Sequence, residues 1–212
     1  MVKLLKPSLA EEKEAIRQGY RLIAGIDEVG RGALAGPVVA AAVVLPDTIK
    51  PRLLAGIRDS KQLTPARRET LSEHIKAIAT TFGIGAISRE VIDERGIAMA
   101  TRLAMKMAVE HLLPPPDYIL IDFFRLPEVS LPQKGVINGD SLCFSIAAAS
   151  IIAKVARDHM MVELDTVYPG YGFAGHKGYS TSEHLECLRR LGASAVHRRS
   201  FQPVRDVCDR LF

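Results

Sequence analysis

Leu22-Ile23-Ala24-Gly25-Ile26-Asp27-Glu28, then a glycine-dense turn through Gly36-Pro37, then Val38-Val39-Ala40-Ala41-Ala42-Val43-Val44-Leu45: these two runs decide the architecture. The second has no polar interruption and is rich in valine, the pattern of a strand buried on both faces. The first predicts a strand over residues 21–27 whose apolar course stops on two acids. Towards the N-terminus, Ser8-Leu9-Ala10-Glu11 reads as a capping box opening a short helix that Gly19 breaks. In the other direction, Thr64-Pro65 supplies an N-cap and an N1 proline for a helix to about residue 79. Residues 81–88 predict a strand, and 97–113 a helix stopped by Pro114-Pro115-Pro116. Residues 118–122 and 135–138 predict two short strands. A long helix with an alanine-rich buried face follows over about 141–165, then a glycine-rich loop over 168–179. Ser180-Thr181-Ser182-Glu183 is a second capping box, opening a helix to about residue 191, and a last short helix follows Pro203. Strands interleave with helices early and helices dominate the end, so the class is α/β, a central sheet packed by helices with a helical C-terminal extension.

Composition narrows the function. At 212 residues, 48% hydrophobic and 25% charged, the chain is ordinary globular material, neither collagen nor coiled coil nor disordered. The purest apolar runs, 38–45 and 146–153, fall far short of the roughly 20 residues that span a bilayer. No long apolar segment or small-residue cleavage site follows Met1, so the expected location is cytoplasmic. Three cysteines (Cys143, Cys187, Cys208) form no CxxC pair, which suits a reducing compartment and excludes a thiolate zinc site. The net charge of +4 is uneven: from His176 onward seven Lys/Arg face four Asp/Glu. A basic end on a nearly neutral body points weakly to a polyanionic partner.

Three apolar runs end in an acid: at Asp27-Glu28, at Asp122 after Tyr118-Ile119-Leu120-Ile121, and at Asp140 after Val136-Ile137-Asn138-Gly139. Strand ends in α/β sheets are where functional groups gather beside a crevice. Carboxylates crowded there repel unless a cation neutralises them, and oxygen-only ligands favour Mg²⁺ or Mn²⁺ over zinc. Asp27 and Glu28 would face opposite sides of a regular strand, so both reach one site only if the backbone turns there. The plain alternative is that these acids cap turns and helices, Asp140 before Ser141 among them. Gly30-Arg31-Gly32 combines backbone that approaches a sugar or phosphate closely with a guanidinium fork. In Gly170-Tyr171-Gly172-Phe173-Ala174-Gly175-His176-Lys177-Gly178-Tyr179 aromatic and basic residues alternate, which suits stacking on a base or sugar, or equally an aromatic-anchored loop.

The string Gly25-Ile26-Asp27-Glu28-Val29-Gly30-Arg31-Gly32-Ala33-Leu34-Ala35-Gly36-Pro37-Val38 resembles the signature of the type 2 ribonucleases H, the bacterial ribonuclease HII family. So do Asp59-Ser60-Lys61, Ser145-Ile146-Ala147-Ala148-Ala149-Ser150-Ile151-Ile152-Ala153-Lys154, Arg157-Asp158, the 168–179 loop and His197-Arg198-Arg199-Ser200-Phe201. The resemblance runs in order over about residues 20–206. It implies a ribonuclease H-like mixed sheet and an endonuclease acting on RNA–DNA hybrids and on ribonucleotides embedded in duplex DNA. The implied cut lies 5′ to the ribonucleotide, leaving 3′-hydroxyl and 5′-phosphate ends, with roles in ribonucleotide removal and RNA primer degradation. Asp27, Glu28, Asp122 and Asp140 are implied as ligands of two Mn²⁺ or Mg²⁺ ions. Gly30, Arg31 and Gly32 are implied as the 2′-hydroxyl reader, Tyr179 as a stacking partner of the neighbouring deoxyribose, and Lys61 as a further substrate-binding residue. Two positions depart from the family pattern: Phe123, where many members have glycine or alanine, and Asn138, where many have lysine.

The expected organisation is one catalytic domain over 1–212, with an α/β core to about 175 and a basic helical extension over about 176–212. Its expected state is a monomer. A non-catalytic hybrid-binding module is the rival class, against which retention of all four acids argues. Ribonuclease HIII needs an extra N-terminal domain, for which the 26 residues before Asp27 leave no room, and no GxxxxGK[ST] string supports a P-loop phosphotransferase. The terminal Val207-Cys208-Asp209-Arg210-Leu211-Phe212 reads as a helix packing on its own body, with docking to a replication sliding clamp as the minor alternative.

Overall fold

The computed structural model describes residues 6–209. Strands β1 (Ile23–Val29), β2 (Val38–Val44), β3 (Thr81–Ile87), β4 (Tyr118–Asp122) and β5 (Gln133–Val136) form one sheet in the order β3-β2-β1-β4-β5. The β1–β2 and β2–β3 pairs are antiparallel, whereas β1–β4 and β4–β5 are parallel. The α/β class and the mixed sheet are therefore as expected. Eight helices accompany it among the described residues: α1 (Ala10–Arg17), α2 (Pro65–Ile78), α3 (Arg89–Glu110), α4 (Gly139–Leu142), α5 (Phe144–Val167), α6 (Phe173–His176), α7 (Ser182–Leu191) and α8 (Gln202–Asp209). None is long and apolar enough to cross a membrane.

Every residue of β2 is buried, because both sheet faces are covered. Val38, Ala40, Ala42 and Val44 join Ala100, Ala104, Met105 and Ala108 of α3 on one face. Ala41 and Val43 join Ala147, Ala148, Ile151 and Ile152 of α5, with Leu71 and Ile75 of α2, on the other. The small residues set the spacing. A Cβ at Gly25 would lie 2.2 Å from the Ser145 carbonyl carbon, so the start of α5 rests directly on β1. That contact carries the alanine-rich helix across the strand that ends in Asp27.

Several boundaries differ from the sequence expectation. Helix α3 starts at Arg89, and a kink at Gly96 (φ 78°, ψ 156°) separates its first turns from the predicted span. The predicted 141–165 helix is two helices, broken at Cys143 (φ −116°, ψ 130°). Ser8 causes the break: its amide donates to the Leu142 carbonyl and its carbonyl accepts from Phe144, a bridge to the N-terminal segment. Neither capping box forms as read. The Ser8 hydroxyl accepts only from Ala10 at 3.3 Å, and α7 is capped one residue later, by Thr181 accepting from His184.

Candidate active site

Strand β1 does not turn at its acids. It stays in register with β2 through Val29↔Val39, so alternation sends Asp27 towards α5 and Glu28 to the other face. The turn begins only at Gly30 (φ 89°). Parallel pairing sets Ile26 against Ile121, which places Asp27 and Asp122 side by side at the ends of adjacent strands. Asp140 is not at a strand end. Strand β5 stops at Val136, Asn138 turns in the left-handed region (φ 56°), and Asp140 lies in the first turn of α4. The Asp122 Oδ1 accepts from the Gly139 amide at 2.7 Å, tying that turn to β4. Lys61, placed by the Asp59 cap, donates to Asp140 Oδ2 at 3.2 Å. Ser60 and Ser150, both within motifs quoted above, meet at 2.9 Å beneath the acids.

Burial holds Asp27 well above the usual carboxylate range, and the Glu28 and Asp122 carboxylates push it further; the Ser150 hydroxyl partly offsets this. Burial likewise raises Glu28 against the pull of Arg31, and raises Asp122, with Asp140 adding to the rise. Desolvation lowers Lys61, but Asp140 beside it outweighs that and the ammonium ends up raised. This is a strained anionic group that gains from any positive charge placed among its oxygens. Among the described residues no three such side chains already form a closed metal cage, in keeping with the opposite faces of Asp27 and Glu28.

The Gly30-Arg31-Gly32 turn is held from below by two arginines whose role was not apparent from sequence. Arg157 donates to the carbonyls of Pro37, Lys177 and Ala35, and Arg198 to those of Gly36 and Arg31. Both are fully buried. Arg198, counted in the basic tail, is therefore not surface charge. The Arg31 guanidinium is not a free fork: it pairs with Glu28 at 3.3 Å and lies 4.7 Å over the Phe124 ring. Gly32 differs from its neighbour. A Cβ there meets nothing within 4 Å, whereas one at Gly30 would strike Arg157 at 2.1 Å.

In the 168–179 loop the structure corrects the stacking reading for two aromatics. Tyr171 and Phe173 are buried against each other, centroids 5.3 Å apart and nearly parallel, and the Tyr171 hydroxyl donates to the Gly192 carbonyl. Tyr179 is half-buried, with Arg157 5.3 Å and Lys154 5.9 Å from its ring centre. It borders an open cleft of about 360 Å³ lined also by Arg68, Lys154, Asp158 and Lys177. Three buried histidines hold this loop. His176 Nδ1 accepts from the Gly178 amide, leaving Nε2–H to donate to the Tyr171 carbonyl. His197 Nδ1 accepts from the Ser194 amide, so its Nε2–H donates to His184 Nε2 at 3.1 Å, and His184 Nδ1–H donates to the Tyr179 carbonyl. One proton per ring satisfies every bond.

Burial, then the neighbouring imidazoles, pushes His197 down to about 3. A depressed pKa contributes stability that is complete above the ordinary value of 6.5 and is lost as pH falls towards 3. At pH 4 the loss from this one group is on the order of 3 kcal/mol. Urea unfolding across pH 7 to 4 should show the wild type losing stability more steeply than His197→Gln. Parallel slopes would place the acid-sensitive group elsewhere.

The ribonuclease HII family model matches residues 24–204. A ribonuclease HII of Dehalococcoides mccartyi (strain ATCC BAA-2100 / JCM 16839 / KCTC 5957 / BAV1) is 56% identical over 205 residues, covering 97% of each chain. Among solved structures, ribonuclease H2 from Pyrococcus horikoshii OT3 superposes with a TM-score of 0.76 at 28% identity, over 89% of this chain and 97% of that one. The PCNA:RNase HII complex from Archaeoglobus fulgidus gives 0.70 at 29%, over 87% and 97%. Bst-RNase HIII in complex with Mn²⁺ gives 0.72 at 19%, over 92% and 72%, a likeness of fold. With the family model spanning both the acidic strand ends and the C-terminal His-Arg-Arg segment, the chain belongs to the ribonuclease HII family and is a hydrolase of the ribonuclease H class.

Proposed function

We propose that this hydrolase cuts the phosphodiester 5′ to a ribonucleotide, in RNA–DNA hybrids and at single ribonucleotides within duplex DNA, leaving 3′-hydroxyl and 5′-phosphate ends. The observation that carries the reading is the pair of adjacent strand ends bearing Asp27 and Asp122, with Asp140 brought alongside through Gly139 and Lys61. The residues fit divalent cations. Glu28 Oε2 is buried without a hydrogen-bond partner, Asp27 is 5% exposed beside two other carboxylates, and every donor is a hard oxygen. Although Glu28 leaves β1 on the other face, it stands at the strand's end close enough to interact with Asp27 and Asp122. Asp27, Glu28, Asp122 and Asp140 would together hold two such ions, Mg²⁺ or Mn²⁺, which would supply an activated water and neutralise the leaving oxygen. The likeness to a Mn²⁺-bound ribonuclease of the same fold is in keeping with this.

The chain's own residues do the rest. The main chain of Gly30, Arg31 and Gly32 reads the 2′-hydroxyl, which donates and accepts hydrogen bonds where deoxyribose offers only C–H. The Arg31 side chain is committed to Glu28 and Phe124 and its carbonyl to Arg198, which leaves its amide as the backbone group it offers the substrate. Lys61, 80% exposed at its side chain, reaches out from Asp140 towards the incoming phosphate. Tyr179, backed by Arg157 and Lys154, lies against the sugar on the 3′ side, and together with the turn it selects an RNA-to-DNA step. Residues 1–175 and the basic segment from 176 act as one catalytic unit, since Arg198 of the second grips the turn of the first. The segment considered for clamp docking, Leu211-Phe212, lies outside the described residues.

The deciding experiment is a DNA duplex carrying one ribonucleotide, incubated with Mg²⁺, Mn²⁺ or EDTA, with the ends mapped. Cleavage 5′ to the ribonucleotide in either ion and none in EDTA is expected. Cutting on the 3′ side, or cutting that persists in EDTA, would overturn the reading.

A further inference from the structure

Phe123 follows Asp122 directly and adopts φ 62°, in the left-handed region; Asn138 and Lys177 are the other non-glycine residues with positive φ among the described residues. A bulky side chain is disfavoured there. The conformation is nevertheless pinned from both sides. The Phe123 amide donates to the Val136 carbonyl at 3.0 Å, and the Phe124 amide donates back to the Asp122 carbonyl at 2.7 Å. Glycine would meet this backbone without strain. The ring gains nothing from burial, being 67% exposed, and Ile137, which follows the carbonyl that the Phe123 amide bonds, is 68% exposed. Behind it Phe124 meets Phe123 edge to face (5.6 Å, 90°) and carries the guanidinium that binds Glu28. Strain held at a site by its surroundings, with an apolar group turned outward, is a signature of contact with something else.

We propose that Phe123, with Ile137 beside it, is a substrate-contacting residue that packs against the sugar and base edges of the nucleic-acid duplex next to the cut. This rests on the functional reading above. A phenyl ring carries neither charge nor hydrogen-bond donor, so what Phe123 holds on the duplex is C–H surface rather than phosphate. Aromatic contacts to nucleotides change affinity about five- to a hundredfold when truncated. The residue therefore sets affinity and register, and leaves the reacting atoms to the acids.

The test uses the full chain and a fluorescent DNA duplex with one ribonucleotide. Affinity is read by anisotropy in EDTA over a salt series, KM and kcat in Mn²⁺, and melting temperature alongside. Phe123→Gly should melt a few degrees higher, bind and reach half-saturation about tenfold more weakly, and keep kcat within about twofold. Phe123→Ala should weaken binding equally, which separates loss of the ring from added backbone freedom. Phe123→Tyr should retain wild-type affinity. Removing an apolar contact lowers affinity by one factor at every salt concentration and leaves the log–log slope unchanged. If Phe123→Gly and Phe123→Ala both bind within twofold of wild type, or if the slope changes instead, the proposal is overturned. A wild type that cuts no ribonucleotide duplex would sink the functional reading, while the affinity ratio would still decide the role of Phe123.

Discussion

Asp27→Asn loses cleavage by about a thousandfold or more while becoming more stable without metal. The activity loss corresponds to roughly 4 kcal/mol of transition-state stabilisation, as expected for removing one anionic oxygen donor from a metal-assisted reaction. The stability gain follows from the carboxylate's position. Asp27 is raised first by burial and then by Glu28 and Asp122, so its charged form is the unfavourable one in the fold. A carboxylate with a raised folded pKa contributes stability below its ordinary value of 3.8, and this is lost as pH climbs through the raised value. In EDTA the melting temperature of Asp27→Asn, which cannot ionise, should therefore rise relative to that of the wild type between pH 4 and neutrality, a difference in which His197 and the other groups common to both proteins cancel. The two curves should converge near pH 4. Coincident curves at all pH values, or wild-type turnover by the variant, would remove Asp27 from the proposed centre.

Gly32→Ala loses cleavage by about a hundredfold yet folds as the wild type does. Nothing in the protein lies within 4 Å of the added methyl, and Gly32 is absent from the positive-φ residues, so alanine fits its backbone. Such a change stabilises by about 0.4–1 kcal/mol through the unfolded chain. The fold alone therefore gives no reason for a glycine here, whereas the proposed close approach of the substrate to the main chain does. Duplex affinity should largely survive, because phosphate contacts elsewhere supply most of it. Gly30→Ala is the informative contrast. There the methyl strikes Arg157 and the φ of 89° opposes alanine, so that variant should lose stability as well as activity. Circular dichroism melts beside single-turnover rates separate the two cases. Normal cleavage by Gly32→Ala would mean that the turn does not read the ribose.

The strands were legible because their information is local. Val38 to Val44 is apolar at every position since both faces of the sheet are covered, and that shows in the string itself. The acids were legible as residues but not as geometry. Nothing near Asp140 reveals that β5 stops four residues earlier and that a left-handed Asn138 swings the acid into a helix. The break at Cys143 comes from Ser8, more than a hundred residues away along the chain. Tyr171 and Phe173 read as free aromatics because the imidazoles that bury them arrive from His184 and His197. Arg157 and Arg198 sat in quoted motifs, but five carbonyl bonds from two distant arginines to loop backbone have no periodicity to betray them.

Those two guanidinium groups bear on how the protein behaves in concentrated salt. A surface lysine attracts a polyanion only across about 8–10 Å of ionic solution, and added salt shortens that reach. Arg157 and Arg198 are sealed from solvent, bonded to carbonyl dipoles rather than to carboxylates, directly beneath the turn and beside Tyr179. Mobile ions cannot gather around them, and their field leaves through weakly polarisable protein before it meets water. The grip of the outer lysines and arginines loosens as ionic strength rises, whereas the buried bonds by which these two arginines hold the shape of the turn do not. On the proposed reading of the turn, discrimination of the ribose should thus outlast general attraction to the duplex, and cleavage should grow more selective as binding weakens.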